Sequence, residues 1–285
     1  MATIKLTMIQ FLYLGRVDYG EGLRLQAEMA ALVAEGRVAN VLLLLEHPPV
    51  LTLGRNADRS NILASNELLA RRGVTVHEIN RGGDVTYHGP GQLVGYPIFD
   101  LRTLHTANGG RMGPVDFVRG MEEALIRLCA SFGVRAGRIC GLTGVWCPAD
   151  GSPLVESRGK ERKIAAIGIH VARGITSHGF AFNVTTNLAD FDLIVPCGIA
   201  GHAVTSLEKE IQNPEEIPTL EELAHLAAQN FEQVFGEPVL AVESLAALRA
   251  QAAAAASRFP AEDTPLQIPA EVDQLRGGAE RPVRG

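Results

Sequence analysis

Apolar positions along the chain fall into two patterns. GLRLQAEMAALVAE at 22–35 repeats its apolar residues every three or four positions and stops at Gly36, which predicts an amphipathic helix. VLLLLEH at 41–47 is continuous instead, predicting a buried strand that runs into a His47-Pro48-Pro49 turn, with VLTLG at 50–54 continuing as a second strand. The early run MIQFLYL predicts a first strand. It is too short for a membrane span and lacks the small-residue cleavage site of a signal peptide.

TVHEIN at 75–80 and QLVGYPIFDL at 92–101 alternate only weakly, which predicts strands covered on both faces and flanking a glycine-rich loop. DFVRGMEEALIRLCASFG stacks Phe117, Met121, Leu125, Leu128 and Phe132 on one helical face and stops at Gly133. LTGVWC predicts a short strand. KIAAIGIHVARGITSHGFAFNV predicts a hairpin turning at Arg173-Gly174. Between them, 149–162 is polar, glycine- and proline-punctuated, and predicts a mobile loop. Thr219 and Glu222 form a capping box ahead of a last long helix, for which Gly236 is the stop.

Strands interspersed with a few helices, without a regular βαβ series, predict an α+β domain. The folded unit is expected over 1–243, followed over 244–285 by an alanine-rich helix and a disordered tail. At 285 residues and 46% hydrophobic composition the chain can bury a substantial core. A net charge of −6 gives no support to wholesale nucleic-acid or anionic-membrane binding. Cys129, Cys140, Cys147 and Cys197 are irregularly spaced, so a disulfide framework is not expected and a reducing cytoplasm is the simpler home. The first three read as core residues.

Candidate chemistry gathers at three places. RGGDVTYHGPGQ at 81–92 packs four glycines beside Arg81, Asp84, Tyr87, His88 and Gln92. Backbone can approach a ligand closely there and polar side chains can orient it, although a tight turn accounts for the same composition. The loop is neither a P-loop nor a dinucleotide fingerprint. Lys163 begins an apolar strand. Cys197 stands between a proline that fixes its own backbone and a glycine that relaxes the next residue, a geometry that suits a nucleophile and also an ordinary buried turn.

An unperturbed thiol has a pKa of about 8.5, and a neighbouring ammonium favours its thiolate by about 1.4 kcal/mol per pKa unit. Lys163 beside Cys197 would therefore make a reactive pair, with the lysine able to serve as base and then acid. Cys197 with His88, His178 or His202 is a rival pairing, though no hydrolase signature accompanies it. No metal is expected: Cys140 and Cys147 lack a second pair, and no His-Glu-x-x-His occurs.

Taken together and in order, RGGDVTYHGPGQLVGYP, KIAAIGIHVARGITSHGFAFNV and VPCGI resemble the lipoyl-protein octanoyltransferase family over about residues 10 to 236. The resemblance implies a biotin/lipoate protein ligase-like fold, a mixed β-sheet flanked by helices with an acyl tunnel, and a catalytic domain over 1–243. It implies transfer of octanoate from octanoyl-acyl carrier protein to a lysine of lipoyl domains, those of 2-oxoacid dehydrogenases and of glycine cleavage H protein. Neither a cofactor nor a nucleic-acid or membrane partner is implied. Carried over by position, Cys197 is the nucleophile and Lys163 the residue that lowers its pKa. Arg81, Gly82, Gly83, Asp84, Val85, Thr86, Tyr87 and His88 would line the acyl and carbonyl site. Ala166, Ile167 and Gly168, with Gly179, Phe180 and Ala181, would form the remaining wall, and His178 beside it would orient polar groups.

Arg158, Lys160, Arg162 and Arg173 are candidates for a basic surface toward an acidic carrier protein, and equally a solvated face with no partner. The polar 149–162 stretch and the tail after about 244 depart from the family pattern. Two other functions fit the same motifs: an ATP-dependent lipoate or biotin ligase, and a non-catalytic acyl-binding module.

Overall fold

The computed structural model describes residues 8–148, 161–195, 203–213 and 217–258. In chain order the strands are β1 (Ile9–Arg16), β2 (Asn40–Glu46), β3 (Val50–Leu53), β4 (Thr75–Glu78), β5 (Val85–His88), β6 (Gln92–Ile98), β7 (Gly137–Ile139), β8 (Leu142–Cys147), β9 (Arg162–Ala172), β10 (Ile175–Asn183), β11 (Ala203–Val204) and β12 (Val239–Ala241). The helices are α1 (Tyr19–Ala34), α2 (Asn66–Arg71), α3 (Pro114–Ala130), α4 (Leu207–Glu210), α5 (Leu220–Phe235) and α6 (Leu245–Arg258).

One mixed sheet runs β12-β1-β2-β6-β10-β9-β8-β7, with β11 added beside β9. A smaller sheet has the order β4-β3-β5. The unbroken apolar run of β2 follows from its central place, because both of its faces are covered. Leu42 and Leu44 pack with α3 and α5 residues such as Phe117, Leu125 and Phe231, while Val41, Leu43 and Leu45 face α1 residues Leu25, Met29 and Val33. β6 is covered likewise, through Leu93 on one side and Val94, Tyr96 and Ile98 on the other. β4 is not. As an edge strand of the small sheet it leaves Thr75 and Glu78 exposed and its middle half-buried.

Helix ends follow local chemistry. Thr219 Oγ1 accepts from Glu222 N at 3.2 Å, and a Glu222 carboxylate oxygen accepts from Thr219 N at 2.8 Å, closing the expected box. α5 stops at Gly236 in the left-handed conformation. The hairpin β9-β10 turns at Arg173 and Gly174, both with positive φ.

The alanine-rich helix is present as α6 and is docked. Leu248 and Ala252 are buried against the α1 side of the sheet, Gln251 accepts from Gln10 at 2.7 Å, and Arg249 pairs with Glu28 at 2.7 Å. The packed core therefore extends past residue 243, through the apolar face that Leu245, Leu248 and Ala252 share at three- and four-residue spacing. Cys129 and Cys147 are core residues, and burial pushes the Cys147 thiol up to about 12. Cys140 differs from expectation. It is exposed at the tip between β7 and β8, at the end of the sheet.

Candidate active site

The glycine-rich segment is tied down at several points. Arg55 N donates to Arg81 O at 3.0 Å, Asn56 N to Gly83 O at 3.2 Å, and Gly82 N to Ile169 O at 3.0 Å, linking the end of β3, the segment and β9. The Arg81 guanidinium lies buried inside this link, donating to Thr52 O at 2.8 Å, Thr52 Oγ1 at 3.0 Å and Gly82 O at 3.0 Å. Beyond Asp84 the segment becomes β5, and side-chain direction alternates. Thr86 and His88 face a cavity of about 200 Å³, whereas Val85 and Tyr87 point away into a separate apolar cluster with Leu51, Leu69 and Phe191. Val85 and Tyr87 therefore do not line the cavity, contrary to expectation. The period of a strand forbids four consecutive residues from facing one way.

The opposite wall is the β9-β10 hairpin. Its register sets Gly168 against Gly179, Ile167 against Phe180 and Ala166 against Ala181, and all six residues border the cavity. Gly179 has no room for a side chain, since a Cβ there would lie 2.1 Å from Gly95 O and 2.5 Å from Pro97 Cδ. His178 has φ +57°, a left-handed conformation inside a strand, which re-aims its ring into the cavity. Its N–H donates to Gln26 Oε1 and its Nε2 meets Asn80 Oδ1, each at 2.7 Å.

A cluster of aromatic and imidazole rings lies beside the cavity. Tyr19 stacks on His88 with centroids 6.0 Å apart and planes 14° apart, and meets His47 at 4.9 Å. The Val17 carbonyl can only accept, so His47 Nδ1 donates to it at 2.7 Å, and Tyr96 O–H donates to His47 Nε2 at 2.6 Å. Burial keeps these imidazoles neutral: His47 is lowered to about 4, His178 to about 4 and His88 to about 3, the last also by the neighbouring His47. Burial raises Tyr19 and Tyr96 well above the ordinary phenol value.

Lys163, the second residue of β9, is buried at the same cavity with its Nζ 4.6 Å from the Trp146 ring centroid. A second hollow of about 20 Å³, room for roughly one water, adjoins Lys163 and is lined also by Thr86, Gln92 and Asn183. Cys197 and its proline and glycine neighbours lie outside the described residues, as do His202, Arg158 and Lys160. The described residues on either side are anchored. Val195 N donates to Asn61 O at 2.8 Å, and Ala203 and Val204 pair in parallel with Arg162 and Lys163.

A cavity with apolar walls, a buried lysine at one edge and neutral imidazoles beside it suits an acyl chain with a reactive head group. The "Lipoyl protein ligase A/B catalytic domain" profile matches residues 18–232. The octanoyltransferase of Acidobacterium capsulatum is 58% identical over 238 residues, covering 83% of this chain and 94% of that one. The chain belongs to the octanoyltransferase family. That of Koribacter versatilis is 50% identical, with coverages of 84% and 88%. Among solved structures, a bi-partite lipoate protein ligase from Thermoplasma acidophilum superposes with TM-score 0.61 at 14% identity, covering 89% and 92% of the two chains. A lipoate-protein ligase A bound with ATP gives TM-score 0.60 at 12% identity, covering 89% and 94%. The α+β lipoate-ligase-like fold is thus shared at low identity.

In this octanoyltransferase-family chain the structure brings Arg81, Gly82, Gly83, Asp84, Thr86, His88, Lys163, Ala166, Ile167, Gly168, His178, Gly179, Phe180 and Ala181 to one cavity. Tyr19, Val94, Tyr96, Gly141, Leu142 and Thr143 also line it and escaped sequence reasoning. Val94 and Tyr96 lie in the strand half of the first motif, beyond its glycine-rich part, whereas Tyr19 on α1 and Gly141, Leu142 and Thr143 at the β7-β8 tip carry no local motif. Arg162 is occupied in an ion pair with Glu210 at 3.0 Å and begins β9, so it is not an open docking cation. Arg173 is exposed. Among the described residues no helix is long and apolar enough to cross a membrane.

Proposed function

We propose that this chain transfers an octanoyl group from octanoyl-acyl carrier protein to a lysine ε-amine of lipoyl domains, including those of 2-oxoacid dehydrogenases and glycine cleavage H protein, through a thioester on Cys197 in the cytoplasm. One observation carries the reading: buried Lys163 stands at the edge of an apolar-walled cavity and is register partner of Val204, which follows Cys197 by seven residues in sequence. The Lys163 ammonium favours the Cys197 thiolate, which attacks the donor thioester. One thioester replaces another, so this step is nearly isoenergetic. Attack by the acceptor amine then forms an amide and runs downhill without ATP.

Backbone N–H groups around Lys163 to Gly168 or Cys197 would receive the tetrahedral oxyanion, each contributing about 3–4 kcal/mol. The cavity of about 200 Å³ is below the ~300–1,000 Å³ of sites for drug-sized ligands, which favours a slim acyl chain.

The test is intact mass after incubation with octanoyl-acyl carrier protein and no ATP, followed by addition of an apo lipoyl domain. An octanoyl adduct, absent in Cys197→Ser, should form and then vanish as the acceptor gains the same mass. No adduct and no transfer until ATP and free octanoate are added would make the protein a ligase. Binding of donor or acceptor with no product would make it a non-catalytic module.

A further inference from the structure

We infer that Asn183 and Gln92 form a relay that fixes the ring tautomer of His88, so that its Nε2 accepts a hydrogen bond from the acceptor lysine's amine in the second transfer step. The inference rests on the transfer reading above. The relay begins at a backbone carbonyl. Asn183 Nδ2 donates to Thr205 O at 2.9 Å, Gln92 Nε2 donates to Asn183 Oδ1 at 2.9 Å and to Tyr87 O at 3.3 Å, and His88 Nδ1 lies 2.8 Å from Gln92 Oε1.

Carbonyl oxygens only accept, so the two backbone ends at Thr205 and Tyr87 orient both amides. Turning over either amide would set oxygen against oxygen. Gln92 therefore offers His88 an oxygen, and Nδ1 must carry the proton. Nε2 is left with a lone pair. The ring cannot rotate freely, because it stacks on Tyr19. Burial together with His47, Arg81 and His178 keeps it neutral.

His88 lines the cavity with Thr86 and Lys163, and among the described residues no group hydrogen bonds to its Nε2. Because His88 lines the cavity, a donor held there can reach this lone pair. An acyl thioester has only acceptors and a thiolate has none to give, so neither the acyl chain nor the activated cysteine satisfies it. A primary amine does. The amine loses one proton to solvent before attack; its nitrogen then bonds to the acyl carbon, the carbon–sulfur bond breaks, and the second proton passes to the departing thiolate. His88 orients the amine and does not store the proton. Asn183 and Gln92 are positioning residues, connected back to the lysine strand by Thr205 N donating to Lys163 O at 2.9 Å.

The experiment joins ¹⁵N NMR of the imidazole rings with single-turnover mass spectrometry on the full chain. Wild type should show His88 as the Nδ1–H tautomer, and Gln92→Met should lose or mix it. In Gln92→Met, transfer from the octanoyl-enzyme to a lipoyl domain should slow roughly tenfold, the worth of one hydrogen bond, while adduct formation slows much less. Asn183→Leu, one link further away, should move both readouts in the same direction by less. An Nε2–H tautomer in wild type, a tautomer change without slower transfer, or equal slowing of both steps overturns the inference and leaves the transfer reading intact. A wild-type protein that forms no adduct overturns the transfer reading, and the role of His88 falls with it.

Discussion

Acid should destabilise this protein at pH values above the range in which carboxylates titrate. His47, His88 and His178 are buried and neutral, lowered from 6.5 to about 4, 3 and 4 respectively, chiefly by burial. A lowered folded value means that the stability is fully present above 6.5 and is lost as pH falls toward 4, because only the unfolded chain takes up the protons. Between pH 7 and pH 5 each ring contributes a loss of about 2 kcal/mol, so the three together approach about 5–6 kcal/mol. Against a total stability of about 5–15 kcal/mol this is a large share, from about a third to all of it. The contribution levels off below about pH 4 for His47 and His178 and below about pH 3 for His88.

The assay is urea unfolding at pH 7, 6 and 5, read from Trp146, the chain's one tryptophan, which is buried. His178→Asn removes one titrating ring while keeping a residue that accepts left-handed backbone. It should reduce the pH slope by about one third. Stability that stays level from pH 7 to 5, or a slope unaltered in the variant, would refute the burial of neutral histidines.

Other perturbations probe separate parts of the site. Lys163→Ala should raise the Cys197 thiol pKa by about one unit in an alkylation-rate titration, and an unchanged curve would remove the lysine's role. Gly95→Ala would set a Cβ 2.2 Å from the Phe180 ring, so it should cost about 1–3 kcal/mol in chemical denaturation and displace a residue that lines the cavity; unimpaired octanoylation would count against the cavity as the acyl site. Glu122, fully buried, accepts from Arg119 at 2.6 Å, Arg138 at 3.0 Å and Gly144 N at 3.0 Å, fixing the β8 wall. Both arginines are partly exposed and regain water, so Glu122→Ala should cost about 2–3 kcal/mol; a loss below about 0.5 kcal/mol would show that β8 holds itself.

Local patterns were enough for most elements, because they depend on neighbours in sequence. The three-and-four spacing of α1, α3 and α5, the Thr219–Glu222 box, the Arg173-Gly174 turn and the continuous run of β2 were all legible, as were the three motifs that carry the family resemblance. The partition of β5 was not, since the glycines before it read as a loop and the two-residue alternation became apparent only once Val85–His88 paired with β3. Tertiary structure alone placed Tyr19, Tyr96 and Leu142 at the cavity, because the order of β6, β10, β9 and β8 in the sheet is set by pairing across long stretches of chain. It also decided the left-handed turn of His178 and the amide relay that locks His88. A hydrogen bond between Gln92 and Asn183 spans 91 positions, and nothing in the residues near either one announces the other. Sequence thus determined which chemical groups were present and where the chain would form helix and strand; strand register and burial decided which of those groups meet, which stay neutral, and which way they face.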